Sequence, residues 1–394
     1  MIAIVYPQFY DVHGIPRYLD SFLSNLPEDH PPIYLIVSDE HRVERHYPGV
    51  VEFIYFPYDH SRFSLFFWSL KARKKLISLY DEGKIQLVNL HFPPLIHGLF
   101  MPRYIPIVLT VHSTYLGFSG YFYPEKFYDS EINWLALKIK MWMESRIYKN
   151  SSRAITLTEF GHEQVLTYGY DKPINIIPNG VDLNQFKFCS DNTKDIDVLF
   201  VGRIEHLKGS KGMVEICRRL VEKKNDILIY IVGYGQEENW VKQQLDNLKE
   251  NVIMTSKVPF SEMMSYYSRS RVYVSTSYYE GLPGTCLEAM ALELPAVVWD
   301  FLFYRGLVVE ERTGSLAVPN DFDGMTDKVL GLLANPQLAA EMGRNGRALL
   351  ESEYNWANLA RDVLDVFVKM EKNKSIKMNR SISRGEAKIE GKYS

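Results

Sequence analysis

The stretch Val272-Tyr273-Val274-Ser275-Thr276-Ser277-Tyr278-Tyr279-Glu280-Gly281-Leu282-Pro283-Gly284-Thr285-Cys286-Leu287-Glu288-Ala289-Met290-Ala291 reads as a strand, a glycine-containing loop and a helix in succession. A loop that leaves the carboxyl end of a strand and opens a helix turns unpaired backbone N–H groups, and the helix's positive end, toward an anion. Glu280 and Glu288 stand eight positions apart across that loop. One carboxylate before the loop and one in the helix's first turn can accept hydrogen bonds from hydroxyls on either side of a bound phosphate. That arrangement suits a nucleotide-sugar. A ligand-free reading exists beside it: Thr285 and Glu288 form an S/T-x-x-E capping box, and Glu280 is then a solvated loop carboxylate.

Outward from this segment, short β-branched strands alternate with helical runs along most of the chain, which predicts parallel sheets of the α/β class. In the first half, strands are expected at 2–6, 33–37, 51–55, 87–90, 105–111, 154–158 and 174–177, with helices at 15–26, 64–80, 130–149 and 160–168. The second series has strands at 197–201, 227–232, 252–254, 272–275, 295–298 and 315–318. Its helices are expected near 210–224, 236–249, 260–269, 285–292, 322–334 and 337–352. Two such series predict two Rossmann-like, doubly wound domains facing a central cleft, one over 1–178 and one over 179–355. Pro178-Asn179-Gly180 marks a turn at the hinge. A last helix spans 356–370, and residues 371–394 carry seven basic against three acidic groups with little apolar content, which predicts a flexible basic tail.

With 394 residues, 46% hydrophobic and 24% charged, the chain has ordinary globular composition, and a net charge of −3 gives no sign of a nucleic-acid partner. Three cysteines (Cys189, Cys217 and Cys286) stand at unrelated spacings without a histidine pair, so neither a disulfide framework nor a metal site is expected. The chain enters a strand at Ile2 without a charged leader, and no run of about 18 apolar residues exists. A cytoplasmic location is expected, with peripheral contact at the inner face of the plasma membrane left open.

Further constellations sit at strand ends. Gly202-Arg203-Ile204-Glu205-His206-Leu207-Lys208-Gly209 follows the second series' first strand, and Arg203 and Lys208, five apart, can both face a diphosphate. Gly14, after the chain's first strand, permits close backbone approach, and Pro16 can start the next helix. His112 ends the apolar run Ile107–Val111, and Thr158 can cap the helix that follows it.

The E-x7-E spacing with Ala-Met-Ala, the V-G-R…K-G element and Pro178-Asn179-Gly180-Val181-Asp182 together resemble the retaining GT-B glycosyltransferases of family four, over nearly the whole chain to about residue 370. The resemblance implies a transferase moving a sugar from a UDP- or GDP-linked donor to a hydroxyl acceptor, a glycan or lipid-linked glycan of surface-polysaccharide biosynthesis, without a metal or other cofactor. It implies that Arg203 and Lys208 clamp the diphosphate and stabilise the leaving group. Glu288 would hold the ribose, Glu280 the sugar hydroxyls with the amides of Leu282, Gly284 and Thr285 nearby, and His112 the sugar near the reaction centre. It also implies that 1–178 is the acceptor domain and 179–355 the nucleotide-sugar donor domain, and that the terminal helix crosses back onto the first.

The chain departs from the family in three places. His13-Gly14 replaces a glycine pair. Pro283 removes one amide donor. Asp300–Leu307 replaces a glycine-rich loop and brings in Arg305, which either reads an unusual sugar or lies on the surface. The aromatic segment 113–129 is expected to border the acceptor, and first-domain aromatics such as Phe66 and Phe67 next to Lys71, Arg73, Lys74 and Lys75 suit sugar stacking or contact with an anionic membrane. The rival readings are a nucleotide-sugar epimerase of the same shape and a catalytically silent homologue serving as a binding or scaffold subunit.

Overall fold

The computed structural model describes residues 1–9, 14–40, 42–43, 45–58, 61, 63–92, 98, 101–122, 134–186 and 193–370. His13, Cys189, the second half of the aromatic segment 113–129 and the basic tail 371–394 lie outside the described residues. In the first half the chain runs β1 (Ile2–Val5), α1 (Ile15–Ser24), β2 (Ile33–Ser38), β3 (Val50–Phe56), α2 (Ser64–Asp81), β4 (Leu87–Phe92) and β5 (Ile107–Val111). It continues through α3 (Tyr115–Phe118), α4 (Trp134–Asn150), β6 (Arg153–Thr156), α5 (Glu159–Thr167) and β7 (Ile174–Ile176). These strands form a seven-stranded sheet in the order β3-β2-β1-β4-β5-β6-β7, with parallel pairing throughout.

The second half runs β8 (Ile196–Val201), α6 (Ser210–Lys223), β9 (Ile229–Val232), α7 (Glu238–Leu245), β10 (Val252–Thr255) and α8 (Phe260–Arg269). Then follow β11 (Ser270–Ser275), α9 (Gly284–Ala291), β12 (Ala296–Trp299), β13 (Gly314–Ala317), α10 (Phe322–Ala334), α11 (Pro336–Glu353) and a helix over 356–370, here α12. The six-stranded parallel sheet is ordered β10-β9-β8-β11-β12-β13. Both sheets are Rossmann-like, and the expected fold class holds. The helix expected over 236–249 instead closes its last turn as a 3-10 segment at Asp246–Leu248.

Helices cover both faces of each sheet, so the central strands are apolar along their length rather than alternating. Along β1, Ile2 and Ile4 enter one core with α1, while Ala3 and Val5 enter the opposite core with α2 and α4. Trp356, Val363 and Phe367 of α12 are buried in the first of these cores, and the Trp356 ring meets Tyr18 edge-on at 4.9 Å. Each such large apolar side chain contributes roughly 1.5–3 kcal/mol on burial, enough to fasten the last helix to the first domain. The segment expected to turn at Pro178-Asn179-Gly180 is irregular rather than a formed turn. It leads into Val181, whose N–H donates to Tyr354 O (2.9 Å), so the two crossings between domains lie side by side.

Candidate functional site

A cleft of about 620 Å³ opens between the carboxyl ends of the two sheets. All nine of the residues singled out from sequence line it: Gly14, His112, Arg203, Lys208, Glu280, Leu282, Gly284, Thr285 and Glu288. Their convergence follows from the winding, because loops after parallel strands all emerge at one edge of a sheet.

Glycines set the backbone of two of these loops. Gly14 has φ 64°, a left-handed conformation that favours glycine, and its carbonyl accepts from Tyr18 N at 3.1 Å as α1 begins. Gly209 has φ 74°, and a β-carbon there would sit 1.9 Å from Thr276 O. Only glycine lets β8's loop close onto β11's and bring the first turn of α6 to the cleft, where Ser210 is part of the lining.

The charged groups are already paired. Lys208 Nζ reaches Glu280 Oε1 at 2.5 Å, joining the loop after β8 to the loop after β11. Glu288 Oε1 meets Arg17 Nη1 of α1 at 3.0 Å across the cleft, and Glu288 Oε2 accepts from Tyr267 OH at 2.9 Å. Arg203 pairs with its neighbour Glu205 at 3.0 Å and keeps most of its side chain exposed to the cleft. Glu288 and Arg203 therefore face the same space, one anchored and one still able to swing.

Two readings change here, and one open choice closes. The capping box does not form: α9 begins at Gly284 with Pro283 as its cap, Thr285 Oγ1 bonds Tyr273 OH at 2.8 Å, and no acidic residue lies in the helix's first turn. Glu288 is thus the fifth residue of the helix, in its second turn and not its first, and faces the cleft. The first amides of α9 have no intrahelical acceptor, so Gly284 and Thr285 present them at the helix's positive end. Arg305 is absent from the cleft lining; its guanidinium holds Asp300 in two bonds of 2.8 and 2.9 Å on the exposed surface.

His112 belongs to a chain of hydrogen bonds. Asn89 Nδ2 donates to Val108 O (3.1 Å) and Thr110 Oγ1 (2.9 Å), leaving Oδ1 to accept from His91 Nε2 at 2.7 Å. His91 Nε2 therefore carries the proton. Burial pulls His91 well below the usual histidine range and His112 down to about 3, so both rings are neutral. The 3.0 Å contact between His91 Nδ1 and His112 Nε2 then needs the proton on His112. His112 is left with a bare Nδ1 lone pair, an acceptor and not an acid.

The loop bearing Glu280 is sewn to the first domain. Tyr279 OH accepts from Thr114 N at 3.0 Å and donates to Gln164 Oε1 at 3.1 Å. Gly281 lies so close to the end of β5 that a β-carbon would fall 1.6 Å from His112 O. Sequence reasoning missed Arg17, Tyr267, Tyr279 and the lining role of Asn179–Asp182. The one available signal was the place of Arg17 in the first turn of the helix that follows Gly14.

Two Rossmann-like domains whose strand ends enclose a ligand-sized cleft define the GT-B architecture. The family described as Glycosyltransferase Family 4 matches residues 12–185, and the one described as Glycosyl transferases group 1 matches 183–349. The chain belongs to this glycosyltransferase family. It is 24% identical over 275 residues to a glycogen synthase of Mycobacterium tuberculosis, covering 67% of this chain but only 63% of that protein. It is 26% identical over 327 residues to the UDP-Gal:alpha-D-GlcNAc-diphosphoundecaprenol alpha-1,3-galactosyltransferase of Escherichia coli, covering 77% of this chain and 81% of the relative. A sucrose-phosphate synthase from Thermosynechococcus elongatus shares the fold with a TM-score of 0.78 at 19% identity, over 94% of this chain and 99% of the other. Among the described residues no helix is long and apolar enough to cross a membrane, and no cluster of three His, Cys, Asp or Glu side chains is gathered as a metal would require.

Proposed function

We propose that the protein transfers a sugar, with retention, from a UDP- or GDP-linked donor to a hydroxyl of a glycan or lipid-linked glycan. The observation that carries this reading is the meeting of Arg203, Lys208, Glu280 and Glu288, drawn from separate segments, on one cleft beside the starts of α6 and α9. In this reading Arg203 and Lys208 take the diphosphate, with the Gly284 and Thr285 amides as further donors. Negative charge that builds on the departing phosphate meets cations already in place, so no metal is needed. Glu288 exchanges Arg17 for the ribose hydroxyls, and Glu280 holds the sugar hydroxyls. The His112 lone pair accepts from one further hydroxyl, and the glycine at 14 gives the phosphate-side backbone room. The Escherichia coli relative named above, with a UDP-linked donor and a lipid-diphosphate-linked acceptor, supports the substrate class.

The test is release of UDP or GDP from a panel of sugar nucleotides, with and without glycan and lipid-linked acceptors. Acceptor-dependent release with an α-linked product from an α-linked donor is the expected result. An isomerised donor would favour the epimerase, and absence of turnover with binding intact would favour the silent homologue.

A further inference from the structure

We propose that the outward face of α2 and α4 docks the protein onto an anionic lipid bilayer, with the cleft's rim against the membrane. Both helices bury one stripe against the same face of the seven-stranded sheet: Trp68, Ala72 and Leu76 from α2, Ile147 and Tyr148 from α4. Their opposite stripes should be polar if water were the only neighbour. They are not. Phe66, Phe67 and Leu70 of α2 are exposed, Phe67 by 59%, and Leu135, Ile139 and Trp142 of α4 are exposed by 51–71%. Scattered surface apolar residues are ordinary, but apolar stripes repeated on two helices of one sheet face mark an interaction surface.

The charges around the stripes select the partner. On α2 the apolar half is followed by Lys71, Arg73, Lys74 and Lys75, and the one acid is Asp81 at its last residue. On α4 the exposed basic residues are Lys138, Lys140, Arg146 and Lys149, and its one acid, Glu144, is buried. The chain as a whole has a net charge of −3, so this basic surplus is local. Exposed aromatic and aliphatic rows bordered by lysine and arginine match a bilayer interface, where rings enter the headgroup boundary and cations meet acidic lipids. A protein partner would have to supply an acidic surface with matching apolar holes; a bilayer needs no such shape.

The orientation follows from the topology. Each helix follows a parallel strand of the same sheet, β3 and β5, so both amino-terminal ends lie at the carboxyl edge that forms the cleft. The apolar residues occupy those ends, and the basic residues mostly lie further along each helix. The apolar ends therefore insert beside the cleft mouth while the basic parts spread over the headgroups. The surface is independent of the sugar-transfer reading, since none of these side chains lines the cleft.

The full chain is to be sedimented with vesicles of phosphatidylcholine alone and of phosphatidylcholine mixed equally with phosphatidylglycerol, at low and high salt. Binding to the mixed vesicles, weakened at least about tenfold by salt or by removal of the acidic lipid, is expected, with a blue shift of tryptophan emission. Two variants locate the surface: Lys71→Glu with Lys138→Glu, and Leu135→Ser with Trp142→Ser. Each alters exposed side chains only, so circular dichroism and melting should match the parent while vesicle binding drops about tenfold or more. Equal binding to both vesicle types, no binding, or variants that bind like the parent would overturn the proposal. So would concentration-dependent self-association abolished by the serine variant, which would make the face a contact between copies.

Discussion

Glu144 gives the sharpest quantitative test of the first domain. Its carboxylate is buried on α4, accepts from Tyr115 N and Tyr148 OH at 2.9 Å each, and also bonds Tyr168 OH. Burial outweighs these hydrogen bonds and pushes the group up from 4.5 to about 8. The phenols around it do not titrate in that range: burial pushes Tyr115 up to about 12 and raises Tyr148 and Tyr168 well above their usual value. Below pH 4.5 the carboxyl is protonated folded or unfolded, and stability is greatest. As pH rises the unfolded chain releases the proton first, so stability is lost progressively until the folded group also ionises near pH 8. Each pH unit within that window costs about 1.4 kcal/mol, or on the order of 3 kcal/mol between pH 5.5 and 7.5. Glu144→Gln keeps the shape, can accept from Tyr115 N and donate to the Tyr148 oxygen, and has nothing to ionise. Its melting temperature should therefore exceed the parent's by about 5–10 °C more at pH 7.5 than at pH 5.5. Differential scanning calorimetry across that range measures this. Parallel curves for the two proteins would refute the argument, because Glu144 would then titrate normally or already be ionised.

Other outcomes test the cleft. Lys208→Ala removes the partner of Glu280 and one cation of the proposed diphosphate clamp, and should weaken UDP or GDP binding by at least about tenfold in titration calorimetry. Nitrogen-15 spectra of labelled histidine should show His91 and His112 neutral, with the proton on Nε2, down to pH 5; a doubly protonated His112 at pH 6 would break the proposed hydrogen-bond chain. Gly281→Ala drives a β-carbon into His112 O and should cost about 1–3 kcal/mol, visible as a lower melting temperature and a larger radius of gyration in X-ray scattering.

The alternation of apolar strands with helices made both sheets legible, because strands covered on both faces must be apolar throughout. The ends of those strands, and with them the positions of Arg203, Lys208, Glu280 and Glu288, followed from the same pattern. What sequence could not give was pairing across the cleft. Nothing near Arg17 announces that its guanidinium meets Glu288, since 271 residues separate them and only the docking of the domains joins them. The Thr285–Glu288 spacing pointed to a cap, but Tyr273 from the neighbouring strand competes for the threonine hydroxyl, and tertiary contact wins over the local motif. Glu144 was silent for a related reason: it lies among lysines on a helix with little amphipathic contrast, so only the fold reveals that it points inward.

The stitch made by Tyr279 and Gly281 reaches beyond stability. The carboxylate next to them is held on one side by Lys208 of its own domain and on the other by a loop seated against the amino-terminal half, so parting the halves removes one of its two supports. Under the proposed function, opening and letting go are then a single event, the motion that sheds a spent nucleotide being the one that admits the next.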